Sequence, residues 1–468
     1  MTERVLIGSG AGFAGDRFDA AVPVVDTLKR RSGARYLIYE VMGERTLAIA
    51  QKLKRHNPHA GYSPWLDSYL SQVLKPCVES KIRIVANFGN ANPEAAARRT
   101  LELGESLGIA GLRVAVVLGD DLLEYTDPSA LLAAAPIEGT SLNADASELH
   151  AANAYLGAQP VARALALGVD VVLVGRTTDA ALVLGPLLYE FNWTADDYDK
   201  LACGTVAGHL LECGGQITGG YFADPGFKDV PDMHQLGFPV IEVDHEGAIV
   251  VGKAEDTGGT VSRATVTEQL LYEVHDPAAY LTPDVTVDLT SVELADSGEN
   301  KVSVTGVKGK PPPDTLKVTV SADGGWLAEA EISYAGINAL ARAELAANTV
   351  KKRLQSLSIS EPCRIELLGT GAVHDNDESQ RFEHARAFDN TAPEQFSLHG
   401  EFRVRVAIRS HSKDTAQQVA DEVLALYCCG PAAGGGVRQA VAEQVSTASV
   451  LMDRKHIERH VRALEVFL

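Results

Sequence analysis

The sequence predicts an α/β fold, with a doubly wound, mostly parallel sheet in its first half and an α+β domain in its second. Two observations carry this. Up to about residue 225 short β-branched runs alternate with helical stretches, and the runs are apolar throughout, as strands covered on both faces require. Beyond that point the texture turns β-rich. A chain of 468 residues is also too long for one ordinary core, so domains 1–225 and 226–468 are expected.

The strands expected in the first half are Val5–Ile7, Tyr36–Tyr39, Ile82–Asn87, Arg113–Leu118 and Val169–Val174. Between them Phe18–Arg31, Glu44–Lys54, Leu66–Glu79, Pro93–Leu107 and Tyr155–Leu167 carry helical periodicity. Asn92-Pro93-Glu94 is a helix start, with Asn92 as N-cap and proline in the first turn. In the second half Pro239–Val251 and Val285–Val320 read as β, and Pro311-Pro312-Pro313 marks a loop. Then come a strand at Trp326–Tyr334, a helix at Ile337–Leu354 and strands at Cys363–Leu368 and Phe402–Ile408. A helix at Ala416–Tyr427 and a glycine-rich loop at Ala432–Val437 follow.

A net charge of −20 argues against nucleic acid and anionic membranes as partners. No run approaches the ~18 uninterrupted apolar residues of a spanning helix, and the opening MTERVLIGSG reads as a strand and not as a signal peptide. A cytoplasmic protein is expected. The six cysteines are scattered without a CxxC pair, so reduced thiols are expected and a disulfide scaffold is not.

Doubly wound sheets bind ligands at the carboxyl ends of their strands, and four of the five expected ends bring glycine together with Asn, Asp or Arg. The first runs into Gly8-Ser9-Gly10-Ala11-Gly12-Phe13-Ala14-Gly15-Asp16, the third into Asn87-Phe88-Gly89-Asn90, the fourth into Gly119-Asp120-Asp121 and the fifth into Gly175-Arg176-Thr177-Thr178-Asp179. One shared pocket would explain all four. Gly10 to Gly15 also fit a dinucleotide fingerprint, with Glu40 as its acidic residue, but Asp16 inside the turn would oppose a pyrophosphate. Another anionic or carbonyl-bearing ligand at Gly10 and Gly12, or a plain tight turn, fits as well. Asn87 and Asn90 suit the orientation of polar groups. Asp120 could act as a base, ligate a divalent metal, or sit in a solvated turn. Arg176 has the chemistry to clamp a small anionic substrate, with Asp179 beside it.

Residues 201–220 carry the densest chemistry. His209, Glu212, Cys213 and Gln216 follow i, i+3, i+4, i+7 spacing, which aligns them on one helix face, on a background of glycines that suits a bound ligand more than a packed core. Three chemistries fit this stripe. Proton transfer by His209 and Glu212 suits hydration, dehydration or isomerisation beside a carbonyl, Cys213 could be a nucleophile activated by His209, and a metal could bind the set. The plain alternative is a locally bonded histidine and a small buried cysteine.

These motifs, together with Asn153-Ala154-Tyr155-Leu156-Gly157-Ala158, Gly208-His209-Leu210-Leu211-Glu212-Cys213 and Leu426-Tyr427-Cys428-Cys429-Gly430-Pro431, resemble the acyclic terpene utilisation (AtuA-type) family over nearly the whole chain. The resemblance implies catabolism of branched or terpenoid acids as coenzyme A thioesters, and the proton-transfer reading of the stripe makes a hydratase, lyase or isomerase the expected enzyme. Some relatives carry a further small C-terminal domain, so the resemblance implies a separately encoded small subunit here, and a homo-oligomer is expected. A partner-dependent, non-catalytic subunit and a nucleotide-dependent oxidoreductase are the alternatives.

Overall fold

Strict alternation along the first strand decides the architecture. In β1 (Arg4–Ser9) Val5 and Ile7 point into one core and Leu6 into another, all three buried. A computed structural model describes residues 3–137, 140, 142, 144–369 and 400–467. It is mixed α/β, and falls into two units: residues 1–322 with 447–468, and residues 323–446.

In the first unit β1 is followed by α1 (Ala21–Lys29), β2 (Ala34–Tyr39), α2 (Glu44–His56), α3 (Leu66–Leu70), α4 (Leu74–Glu79), β3 (Ile82–Ala86), α5 (Pro93–Ser106) and β4 (Val114–Leu118). After these come α6 (Pro128–Leu132), β5 (Ala135–Pro136), β6 (Leu149–Ala154), α7 (Gln159–Ala166), β7 (Val171–Val174), α8 (Ala181–Phe191) and α9 (Tyr198–Glu212). All five strands expected in this stretch are present. Leu66–Glu79 is two short helices, not one, and β6 was not expected. Asn92 does cap α5, its side chain accepting from Ala95 N.

The chain continues through β8 (Pro239–Asp244), β9 (Ile249–Lys253), α10 (Arg263–Leu271), β10 (Tyr280–Leu281), β11 (Thr286–Asp288), β12 (Glu293–Gly298), β13 (Lys301–Thr305), β14 (Lys308–Lys310) and the long β15 (Thr315–Ala335). The ten-stranded sheet has the order β12-β13-β9-β8-β1-β2-β3-β7-β4, with a last edge strand, Arg462–Val466, antiparallel to β4. Its middle five strands are parallel, and those outside them are antiparallel. Parallel pairing is therefore half of the sheet and not most of it.

The expected break at residue 225 does not coincide with the division of the structure. Strand β8 pairs with β1, Ile7 opposite Ile241, and its Val240, Ile241 and Val243 are buried. Without β8 the backbone edge of β1 would be open.

Helices α7, α8 and α9 cover one face, contributing Val161, Leu182 and Leu210 to a core shared with Ile7, Ile38 and Val174. On the other face α1, α4 and α5 contribute Val24, Cys77 and Ala97 to a core with Leu37, Ile84 and Leu173. Each fully buried aliphatic side chain contributes about 1.5–3 kcal/mol. The links from β1 to β4 cross the second face. Strand β7 is entered through α7 on the first face and lies between β3 and β4. The connections leaving β3 and β7 therefore diverge to opposite faces of the sheet.

In the second unit residues 326–335 of β15 pair with β17 (Glu401–Ser410), which pairs with β16 (Cys363–Leu368). Ala328, Ile332, Val404 and Val406 pack under α11 (Ala339–Ser356) and α12 (Lys413–Leu424). The opposite face carries charge pairs such as Arg403–Glu331 and Arg405–Glu366. Among the described residues no helix is long and apolar enough to cross a membrane.

Two glycines of α9 serve packing, not a ligand. A Cβ on Gly208 would lie 2.6 Å from Ala180 Cα, and one on Gly204 would lie 2.6 Å from Leu184 Cδ1. Gly208→Ala should destabilise the protein by about 1–3 kcal/mol, read from chemical denaturation. Unchanged stability would show that α9 does not press on Ala180.

Candidate functional site

The carboxyl ends of β1, β2 and β7 and the end of α9 surround a cavity of about 750 Å³, within the range of small-molecule sites. Six carboxyl residues (Asp16, Glu40, Glu44, Asp179, Glu212, Glu273) and three cations (Arg17, Arg176, Lys317) line it. Phe13, Met42, Tyr221, Met233, Leu236 and Phe238 supply an apolar wall.

Arg176 is the fixed point. It directly follows the Gly175 that ends β7, and only 2% of it is exposed. Its Nε donates to Thr177 O (2.8 Å), Nη1 to Met42 O (2.5 Å) and Nη2 to Asp179. The guanidinium lies over the Tyr155 ring, 4.1 Å from its centre, and Lys317 Nζ lies 4.5 Å from the same centre. Tyr155 in turn donates from its hydroxyl to Glu44 at 2.5 Å, and Lys317 donates to Glu44 at 3.0 Å. Burial works against the charge of Glu44, but these two donors outweigh it and hold the carboxyl at about 2. Arg176 was expected to clamp an anionic substrate. Its three nitrogens instead bond protein groups, and Asp179 takes the charge.

The stripe at the end of α9 divides. The helix ends at Glu212, Cys213 is its C-cap, and a 3-10 turn (Gly214–Thr218) follows, with Gly214 at φ +53° and Gly219 at φ +114°. These left-handed residues stop the helix, so Gln216 lines the cavity from the turn and does not share the helix face. Cys213 also lines the cavity, but burial, and then the Glu212 charge, push its thiol up to about 12. That is a poor setting for a thiolate nucleophile.

His209 is 2% exposed and stands behind Glu212, outside the cavity lining. Its Nε2 faces Leu270 O at 3.3 Å and its Nδ1 faces Glu212 Oε1 at 2.8 Å. A carbonyl only accepts, so Nε2 carries hydrogen. The 2.8 Å contact then needs a second proton, on Nδ1 or on Oε1. Burial opposes charge on His209, but the neighbouring Glu212 outweighs it and raises its proton affinity; burial also raises that of Glu212. The pair holds one shared proton beside the cavity.

Glu40 follows β2 and is 8% exposed. Its Oε1 accepts from Met42 N (3.0 Å) and from Asn87 Nδ2 (2.8 Å), and Asn87 Oδ1 accepts from Val41 N (2.8 Å). Asn87 therefore holds Glu40 and lies outside the cavity lining. Burial raises the proton affinity of Glu40 strongly.

Gly10, Asn90 and Asp120 are likewise outside the lining. A Cβ on Gly10 would meet the Tyr39 ring at 2.5 Å, which is a packing constraint. Asn90 has φ 45°, and its Oδ1 is buried without a hydrogen-bond partner. Asp120 Oδ2 accepts from Arg176 N and Asn153 Nδ2, both at 2.9 Å, and burial raises its carboxyl to about 6. It braces the backbone that presents Arg176. Among the described residues no group of three or more His, Cys, Asp or Glu is placed to hold a metal ion.

The glycine loop after β1 is filled by its own chain. Asp16 Oδ2 accepts from Gly12 N (2.9 Å) and Oδ1 from Arg17 N (2.8 Å). No helix starts there, since α1 begins at Ala21. A pyrophosphate cradle needs a helix N-terminus and open amides; here the helix is missing and the Gly12 amide is taken by Asp16. Gly12 itself lines the cavity, with a Cβ there only 2.3 Å from Cys213 C.

The chain matches the acyclic terpene utilisation family protein AtuA over residues 5–463. It belongs to that family. Membership points to a role in acyclic terpene utilisation. No curated protein and no solved structure matches the chain.

Sequence reasoning passed over Glu44, Tyr155 and Lys317 as site residues, and treated Glu40 only as a nucleotide-binding acid. Lys317 reaches the cavity from β15, for which no local signal exists. The Glu44 carboxyl gives a pH test. Its folded value lies below the ordinary one, so its contribution to stability is present above about pH 4.5 and lost as pH falls towards 2. Glu44→Gln should therefore melt below wild type at pH 7, and the gap should close between pH 4.5 and 2. A pH-independent gap would overturn the assignment.

Proposed function

We propose that this chain is an enzyme of branched or terpenoid acid breakdown that acts by proton transfer, as a hydratase, lyase or isomerase, on an acyl thioester such as one of coenzyme A. The observation that carries the reading is the shared proton of Glu212 and His209 at the wall of a 750 Å³ cavity. A buried carboxyl whose proton affinity is raised by burial, sharing a proton with an imidazole, is a suitable general acid for a carbonyl oxygen. His209 acts through Glu212 as a positioning residue, in place of the direct role expected from the sequence. The parallel strands read as a doubly wound core support the same location, since such folds bind ligands where strand order reverses.

The choice of a thioester over a free acid rests on charge. Every cation lining the cavity is paired: Arg17 with Asp19 (3.0 Å), Arg176 with Asp179, and Lys317 with Glu44 (3.0 Å). A carboxylate entering among six carboxyl groups would meet no unpaired cation, whereas an uncharged acyl group would meet the apolar wall and a proton donor.

Purified protein should turn over branched acyl-coenzyme A thioesters and leave the matching free acids untouched. Glu212→Gln should lower kcat by about a hundredfold or more, with the melting temperature nearly unchanged. Undiminished turnover in that variant would end the reading. Turnover by the lone chain would also remove the partner-dependent alternative.

A further inference from the structure

The cavity holds a second carboxyl set up for proton transfer, and its position emerges by elimination. Asp16 has both oxygens engaged by Gly12 N and Arg17 N. Glu44 and Asp179 are ion-paired with Lys317 and Arg176, so each is already engaged by a cation. Glu273 is exposed at the mouth. Glu40 and Glu212 remain. Both are at most partly exposed, neither pairs with Lys or Arg among the described residues, and each has one oxygen bonded from behind while the other takes no protein hydrogen bond.

The groups behind them differ in kind. Glu40 Oε1 faces donors only, Met42 N–H and the Asn87 amide, which favour the ionised form, while burial raises its proton affinity and makes its carboxylate the stronger base. Glu212 faces an imidazole whose other nitrogen is fixed on a carbonyl, so it shares a proton. Two carboxyls in one cavity with opposite backing are the pattern of a base and an acid.

Resting on the proton-transfer reading above, we propose that Glu40 is the general base opposite Glu212 as general acid, and that Asn87 is the positioning residue for Glu40. The Glu40 carboxylate takes a proton from the carbon next to the thioester carbonyl. The C–H electron pair becomes the C=C bond of an enol, the carbonyl π pair moves to oxygen, and that oxygen takes the proton of Glu212. Glu40 gains one proton and Glu212 loses one. Reversal returns a proton from Glu40 to carbon, so in D2O the substrate acquires deuterium. The charged and titratable groups around Glu40 are Asp179, Arg176 and Cys213; those around Glu212 are His209, Asp179, Glu273, Tyr280 and Cys213.

The test is deuterium wash-in to 3-methylbutanoyl-coenzyme A, followed by mass spectrometry, with the full chain. Wild type should exchange, and Glu40→Gln, which keeps both hydrogen bonds at Oε1, should exchange at least a hundredfold more slowly with an unchanged KM. Asn87→Ala should move the acidic limb of the pH–rate profile to higher pH, because the ionised base loses a donor; a merely structural loss would leave that limb in place. Exchange at the wild-type rate in a folded Glu40→Gln, or an unmoved limb in Asn87→Ala, overturns the assignment of Glu40 while leaving proton transfer intact. No exchange in wild type overturns the proton-transfer reading and this one with it.

Discussion

A guanidinium with 2% exposure cannot stand without partners, and the arrangement of the cavity follows from satisfying Arg176. Its three nitrogens reach Thr177 O, Met42 O and Asp179, which ties the end of β7 to the loop after β2. Its face lies on Tyr155, whose hydroxyl fixes Glu44 at the start of α2. Its own backbone N–H is held by Asp120. Removing one partner would leave an uncompensated buried charge, at a cost of several kcal/mol. The charge is therefore structural in its first effect and chemical in its second: it sets the field in which the remaining carboxyls titrate.

That field separates the carboxyls by role. Glu44 and Asp179 are each paired with a cation and complete the wall, Glu44 being held ionised by its two donors. Glu40 and Glu212, which make no ion pair with Lys or Arg among the described residues, owe their raised proton affinity to burial, and the groups bonded behind them work against it. The acid character of the cavity suits the proposed substrate, which would enter by an uncharged acyl end, towards an apolar wall formed by Phe13, Met42, Met233 and Phe238.

Much of the fold was legible in the chain. The five parallel strands are short apolar runs between helical stretches, and local pattern suffices to find them. The strand ends also pointed to the end of the sheet where the cavity lies. What misled was local reasoning about long-range partners. The β8 run has the same texture as any strand, and nothing in it says that it pairs antiparallel with β1. The His209–Gln216 spacing is helical on paper, but Gly214 adopts φ +53° and ends the helix before Gln216. Glycine density in α9 looked like ligand contact, yet Gly204 and Gly208 exist to admit α8.

By itself the sequence determined the α/β class, the parallel strands, the cap at Asn92 and the family, because periodicity, turn chemistry and motif content are local properties of the chain. Only the tertiary structure decided which polar groups face the cavity. Asn87, Asp120 and His209 are as polar in sequence as Glu40, Glu44 and Glu212, but they stand one layer behind, each bonded to a residue that does line the cavity or to its backbone. The physical reason is that a buried polar group must find a partner, and apart from local pairs such as His209–Glu212 many partners here come from distant segments, up to 273 residues away in the chain.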